Sequence, residues 1–301
     1  MNDELSRRHL YFFLLVLGSC FVFWIPLRNL IRFSLTRDYG SHILLIAPIS
    51  AYLIYVQRRE VFSKAQFHFF AGSSLFLGGL ILGWMGYVKS HASNDFLSVE
   101  ILGLVVLWIA AFILFYGTLA YRAAQFPLLF LLLLVPIPDF LIDRAVFLLQ
   151  AGSATVAYGL FRLLNVPVFE QGFILRLPTL TIEVAKECSG IRSSIVLLIT
   201  ILLVAQFVLQ SAWRKWLLVL SIIPIVVFKN AVRIVTISML TMYVSRRFLH
   251  GWLHTSGGIV FYLLGLLALF PILALLKRGE SHVVKTKISV PAQRSGLSPG
   301  V

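Results

Sequence analysis

The chain has 301 residues, of which 59% are hydrophobic, 14% aromatic and only 13% charged. Soluble domains carry about 25% charged residues, so an ordinary soluble globular protein is excluded. The formal net charge of +14 does not point to nucleic acid, because the bases lie in short clusters between apolar runs, where they set topology and meet anionic headgroups of the lipid bilayer.

Apolar runs of about 20 residues recur along the whole length, which predicts an all-α polytopic membrane protein. The first run begins at Leu10 after Ser6-Arg7-Arg8 and has the look of a signal peptide. No small-residue cleavage site follows and further spans do, so it is read as a helix. Eight spans are expected near 10–27, 41–56, 67–88, 97–117, 122–138, 190–210, 216–241 and 257–276. Between the fifth and sixth, residues 139–189 form the most polar internal stretch. Pro136-Ile137-Pro138 should end the fifth span. A helix over about 140–164 follows, carrying Asp143, Arg144, Gln150 and Arg162. Phe173–Leu177 and Leu180–Val184 then alternate in polarity around Pro178-Thr179, which predicts a small β-hairpin. Lys277 opens a polar, basic tail expected to be disordered. The expected organisation is one membrane domain over 1–276, with an extracytoplasmic insert at about 139–189, and a cytoplasmic tail over 277–301. No internal repeat is visible.

The side of the membrane on which each loop lies depends on whether 140–164 crosses. If it does not, and the N-terminus is cytoplasmic, the inner segments hold Arg7, Arg8, Arg58, Arg59, Lys64, Arg122, Arg214, Lys215 and the basic tail. They outnumber the outer Arg28, Arg32, Arg37, Lys89, Arg246 and Arg247, as the positive-inside rule asks. If 140–164 does cross, Arg214-Lys215 and the tail move outside and the bias is lost. The expectation is therefore eight spans, both termini inside, and an amphipathic helix lying on the outer interface. The sixth span then begins outside, just after Cys188. Arg233 lies about 25 Å along the outward-running seventh span. His254 immediately precedes the eighth, so all three groups fall at one level.

Cys188 is one of two cysteines, which makes a disulfide framework improbable. Ser189 or Gly190 can start the following helix and leave the thiol at its positive end, where thiol pKa falls. Arg192 and Arg233 would add to that effect, and Glu187 opposes it. An inert buried thiol is the alternative, and it is the expected fate of Cys20, flanked by Phe21 and Phe23. Arg233 within an apolar span costs about 2.5–3.5 kcal/mol on insertion scales if central, so it calls for a partner and a role. The alternative is an arginine reaching the outer headgroups. Asn230 shares its helix face, whereas Lys229, four residues before it, is a like charge that repels. His254 alone is a weak signal. No His-x-x-x-His or Cys-x-x-Cys spacing supports a metal site, and no phosphate loop or Gly-x-Ser-x-Gly elbow occurs. Cys plus His, with Arg as electrostatic partner, is the catalytic constellation on offer, and no cofactor is called for. A transporter or polysaccharide-export component and a non-catalytic scaffold are the rival classes.

The chain resembles the exosortase/archaeosortase family from Asp38 to about Phe270. The resemblance rests on Asp38-Tyr39-Gly40-Ser41-His42, Pro127 through Pro138, Asn165-Val166-Pro167-Val168, Glu183 through Arg192, Asn230-Ala231-Val232-Arg233-Ile234, and His254 with Gly257. It implies an eight-span enzyme of the cytoplasmic (inner) membrane whose Cys-Arg-His site, here Cys188, Arg233 and His254, faces outward. Asn230, Ser189, Gly190 and Arg192 would support it. The implied partners are membrane-anchored proteins with a C-terminal sorting signal made of a short motif such as Pro-Glu-Pro, a transmembrane helix and a basic tail. Lys229 departs from the small or apolar residue usual before the Asn.

Overall fold

Helices dominate the chain, as a bilayer requires of a backbone whose polar groups must be satisfied internally. The computed structural model describes residues 2–37, 39–63, 65–66, 69–89, 95–184, 190–245, 247 and 258–288. Among these, seven helical segments are long and apolar enough to cross a membrane: Glu4–Val22, Phe69–Val88, Asp95–Ala123, Asp139–Leu163, Ile191–Val208, Ala212–Tyr243 and Ile259–Glu280. The all-helical membrane class is as the sequence predicts, with two differences in how the spans are drawn. Ile43–Val56 and Gln125–Leu134 are apolar but short. At 14 residues the first rises only about 21 Å, and the second changes to a 3₁₀ turn over Leu131–Leu134 before Pro136. Conversely, Asp139–Leu163, expected to lie on the interface, has the length and hydropathy of a span.

Within the stretch expected to form one membrane domain, the chain groups into two compact units, Met1–Asp143 and Arg144–Val301. The first holds α1 (Asn2–Val22), α2 (Trp24–Thr36), α3 (Ile43–Val56), α4 (Arg58–Ser63), α5 (Phe69–Lys89), α6 (Asp95–Ala123) and α7 (Gln125–Phe130). Its central packing is the α5–α6 pair. Added Cβ atoms on Gly72, Gly79 and Gly86 would strike Leu114, Leu107 and Glu100, and one on Gly103 would lie 2.5 Å from the Gly83 nitrogen. Each step forward along α5 is matched by an equal step back along α6, the signature of an antiparallel pair brought close by small residues. α6 bends at Gly117 (φ 84°), and the Tyr116 carbonyl beside that bend accepts the Gln66 N–H at 2.9 Å.

The second unit begins inside α8 (Asp139–Leu163) and continues with β1 (Phe169–Gln171), β2 (Ile174–Arg176), β3 (Thr181–Glu183), α9 (Ile191–Val208), α10 (Ala212–Leu220), α11 (Ile222–Tyr243) and α12 (Gly258–Ile288). Asn165, in the left-handed region at φ 57°, closes α8. The Val166 N–H reaches back to the Phe161 carbonyl and Pro167 cannot continue the helix. The strands form one antiparallel sheet in the order β1-β2-β3. The expected hairpin is β2–β3, turning through Pro178-Thr179, with a third strand paired on its other side through a tight turn at Gly172 (φ 61°).

Two apolar clusters hold this unit. In one, the sheet residues Leu175, Leu177 and Val184 pack on Ala154, Ala157 and Phe161 of α8 and on Ala231, Ile234 and Val235 of α11. In the other, Leu197, Ile201 and Ala205 of α9 meet Leu218, Ile225, Val226 and Leu269 from α10, α11 and α12. At the far end of that second cluster, Glu280 accepts the Ser211 N–H at 2.8 Å and the Gln210 N–H at 3.1 Å. Arg214, buried beside it, donates to the Leu276 carbonyl at 3.2 Å. α12 therefore runs past residue 276, where the tail was expected to begin, because Glu280 and Arg214 tie its next turn to α10.

Gly103→Ala is expected to cost about 1–3 kcal/mol by overpacking. Its thermal midpoint in detergent should fall, whereas Gly78→Ala, whose added methyl would meet no atom within 4 Å, should melt close to wild type.

Candidate functional site

Between the two clusters of the second unit lies a thin layer of buried polar side chains, and α11 supplies its centre. Lys229 and Asn230 are adjacent on that helix and are 2% and 1% exposed. Asn230 Nδ2 donates to Ser153 Oγ of α8 at 3.0 Å. Lys229 Nζ donates to Ser193 Oγ of α9 at 2.5 Å, and its stem passes beside Gly265 of α12. One helical turn before Ser153, Gln150 donates to the Val184 carbonyl at 2.6 Å, fixing the end of β3. Gly152, between them, lets the Val227 side chain of α11 approach α8 closely.

The start of α9 is built into the same layer. Gly190 occupies its N-cap position with φ 69° and ψ 19°, a conformation that costs other residues about 1–2 kcal/mol. Its carbonyl accepts the Ser194 N–H at 3.0 Å, Ser194 Oγ at 2.7 Å and Ser193 Oγ at 3.0 Å. A side chain at 190 would also crowd α11, since its Cβ would fall 3.2 Å from Asn230 Oδ1 and 3.7 Å from Lys229 Nζ. That Asn230 oxygen is buried and has no hydrogen-bond partner among the described residues. The first N–H groups of α9 have no carbonyl within their own helix and carry its positive dipole end.

Of the residues singled out from sequence, Asn230 and Gly190 are therefore brought into contact. Arg233 is half-buried on α11, one turn beyond Lys229, and Arg192 is exposed in the first turn of α9. Cys188, Ser189 and His254 lie outside the described residues. The two described ends of the Cys188 segment, Val184 and Gly190, are respectively bonded to α8 and seated against α11. Sequence reasoning missed Gln150 and Ser153 as site neighbours, although their spacing on one face of a mostly apolar helix was a readable signal. It also read Lys229 as a repelling charge and a departure from the family pattern, without a partner on another helix. No group of three or more His, Cys, Asp or Glu that could hold a metal ion occurs among the described residues.

The depth of the layer follows from α9. Its 18 residues rise about 27 Å, close to the bilayer's hydrocarbon thickness of about 30 Å. The Gly190 end and the Arg214–Glu280 end thus lie about one hydrocarbon thickness apart.

The family model for transmembrane exosortases matches residues 34–271, which include every residue named in this layer. The chain belongs to the transmembrane exosortase family. Exosortases are known as transpeptidases, and the chain is accordingly a multi-pass membrane protein. No curated protein and no solved structure matches it.

Gly190→Ala in this exosortase should lose at least about 1 kcal/mol from the left-handed backbone alone. Lower thermal stability together with slower substrate processing is the expected result, measured on purified protein and in cells.

Proposed function

We propose that this exosortase is a cysteine-type transpeptidase that cleaves C-terminal sorting signals of exported proteins at the outer face of the cytoplasmic membrane. The observation that carries the proposal is the seating of Gly190 against Lys229 and Asn230 at the start of α9. Cys188 is two residues before Gly190, so covalent reach alone keeps their Cα atoms within about 7 Å. Its thiol would then work beside a helix N-terminus and a half-buried arginine, the setting that stabilises thiolate.

In this mechanism the Cys188 thiolate attacks the scissile carbonyl carbon, and Arg233 stabilises the oxyanion that develops. His254 takes the thiol proton and returns it to the leaving amine as the C–N bond breaks. The thioester left on Cys188 is resolved by an amine nucleophile or by water. The substrate's own transmembrane helix docks from the bilayer, and the three-stranded sheet above the polar layer reads the short motif.

The outward orientation is supported by charge. Arg214 and Lys215, followed in sequence by Lys277 and Arg278, mark the opposite end of the α9–α12 group, and the positive-inside rule makes a basic end cytoplasmic. This support does not depend on whether α8 crosses. Both termini inside is the topology that goes with it where α8 lies on the interface rather than crossing.

Processing should be followed in cells with a reporter bearing the motif, helix and basic tail. Cys188→Ala and His254→Ala are each expected to leave it full length, with rates down by at least about 100-fold. Arg233→Met should fall by about 100-fold or more through loss of oxyanion stabilisation. Unchanged processing in Cys188→Ala would end the proposal.

A further inference from the structure

Resting on Cys188 as the nucleophile, we propose that Lys229 is a positioning residue for that chemistry. It fixes the first turn of α9 and holds a positive charge beside it, so that the thiolate forms at lower pH.

Three observations converge on it. Lys229 is almost wholly buried in an apolar helix, where an ammonium is retained only with a partner and a use. Among the described residues its partner is not a carboxylate but Ser193 Oγ, and Ser193 in turn donates to the Gly190 carbonyl, so the cation is linked through one hydroxyl to the left-handed turn. Its nitrogen also lies 3.7 Å from where a Cβ on residue 190 would stand, two residues from the thiol. A serine–lysine pair can itself act as nucleophile and base, but that use requires the hydroxyl to donate to the amine. Here the hydroxyl proton is directed to the Gly190 carbonyl and the lysine donates, which suits a fixed cation instead.

Among the described residues the remaining charges around Lys229 are few. Arg233 is the other ionised side chain on α11 and Arg192 the one on α9. α12 offers only the Tyr262 phenol between Gly258 and Leu276, and the facing turn of α8 offers the neutral Gln150 and Ser153. On α8, Arg144 and Arg162 each lie about 13 Å along the helix from Ser153, and Asp143 lies beyond Arg144. Glu183 ends β3, and Lys186, Glu187 and His254 adjoin the thiol through sequence or mechanism. Lys229 is thus the buried member of a group dominated by fixed arginines, and its removal is felt as a loss of positive charge on the thiolate.

The test is the pH dependence of iodoacetamide alkylation of the full-length protein in lipid nanodiscs, with Cys188 resolved from Cys20 by mass spectrometry. In Lys229→Met the midpoint for Cys188 should rise by about one pH unit, lowering the thiolate fraction at neutral pH and the processing rate by up to about tenfold. Lys229→Arg, which keeps the charge, should stay closer to wild type. A Lys229→Met protein with the wild-type midpoint overturns the inference, since a merely structural lysine would change stability without moving that midpoint. If Lys229→Met does not accumulate folded, Ser193→Ala asks the same question by removing the acceptor and keeping the cation. A smaller rise is then expected, and an unchanged midpoint overturns the role of Lys229. Abolished processing in Ser193→Ala with an unchanged midpoint would instead make Ser193 a nucleophile. Normal processing in Cys188→Ser would remove the nucleophile assignment itself, whereas a wild-type midpoint in Lys229→Met removes only the role of the lysine.

Discussion

A lysine and an asparagine side by side in the middle of an apolar helix impose a condition that the surrounding chain must meet. Buried polar groups are tolerated when they are hydrogen-bonded, and buried charges when they have a partner. The Lys229 ammonium and the Asn230 Nδ2 meet that condition on different sides, one through Ser193 of α9 and the other through Ser153 of α8. Satisfying both therefore joins three helices at one level. Gly152 keeps the α8–α11 contact close, since a Cβ there would fall 3.2 Å from a Val227 methyl of α11.

That junction divides the second unit into two kinds of core. On one side, helices pack through Leu, Ile and Ala as a membrane bundle does. On the other, a three-stranded sheet closes over the ends of α8 and α11. An open sheet edge has no place in hydrocarbon, where its unpaired N–H and C=O groups would go unsatisfied. The sheet therefore belongs outside the hydrocarbon layer and the bundle within it, with the polar layer at the boundary. Such a boundary combines weak screening with access to water, the conditions under which fixed charges act strongly on a reacting group.

Much of this was legible in the sequence, and the parts that were not share a cause. Apolar runs announce membrane helices, and Asn230, Gly190 and Arg233 stood out because polar or helix-starting residues beside apolar spans are costly. The β2–β3 hairpin was visible in alternating, β-branched residues around a proline. β1 was not, because Phe169-Glu170-Gln171 has neither branching nor length and exists only by pairing with β2. Gln150 and Ser153 were hidden by treating α8 as an interfacial amphipath, in which polar residues face water. In the fold they face α11 and the end of β3. Lys229 was misjudged for a related reason. Sequence shows the like charge four residues along the same helix, while the hydroxyl that accepts its proton comes from another helix.

The proximity of Lys229 to Arg233 then bears on what the layer is for. Two like charges one turn apart raise the energy of the resting protein. Local conflicts of this kind collect at functional sites. A group of fixed cations is stabilised further when negative charge appears among them, as the proposed thiolate and oxyanion would supply. The cost is met at folding, so no reorganisation is needed at the moment of reaction, which is the basis of electrostatic preorganisation. On that account a small or apolar residue at 229 would leave the same fold with a weaker bias toward the anion. The lysine tunes the chemistry of this exosortase rather than defining it.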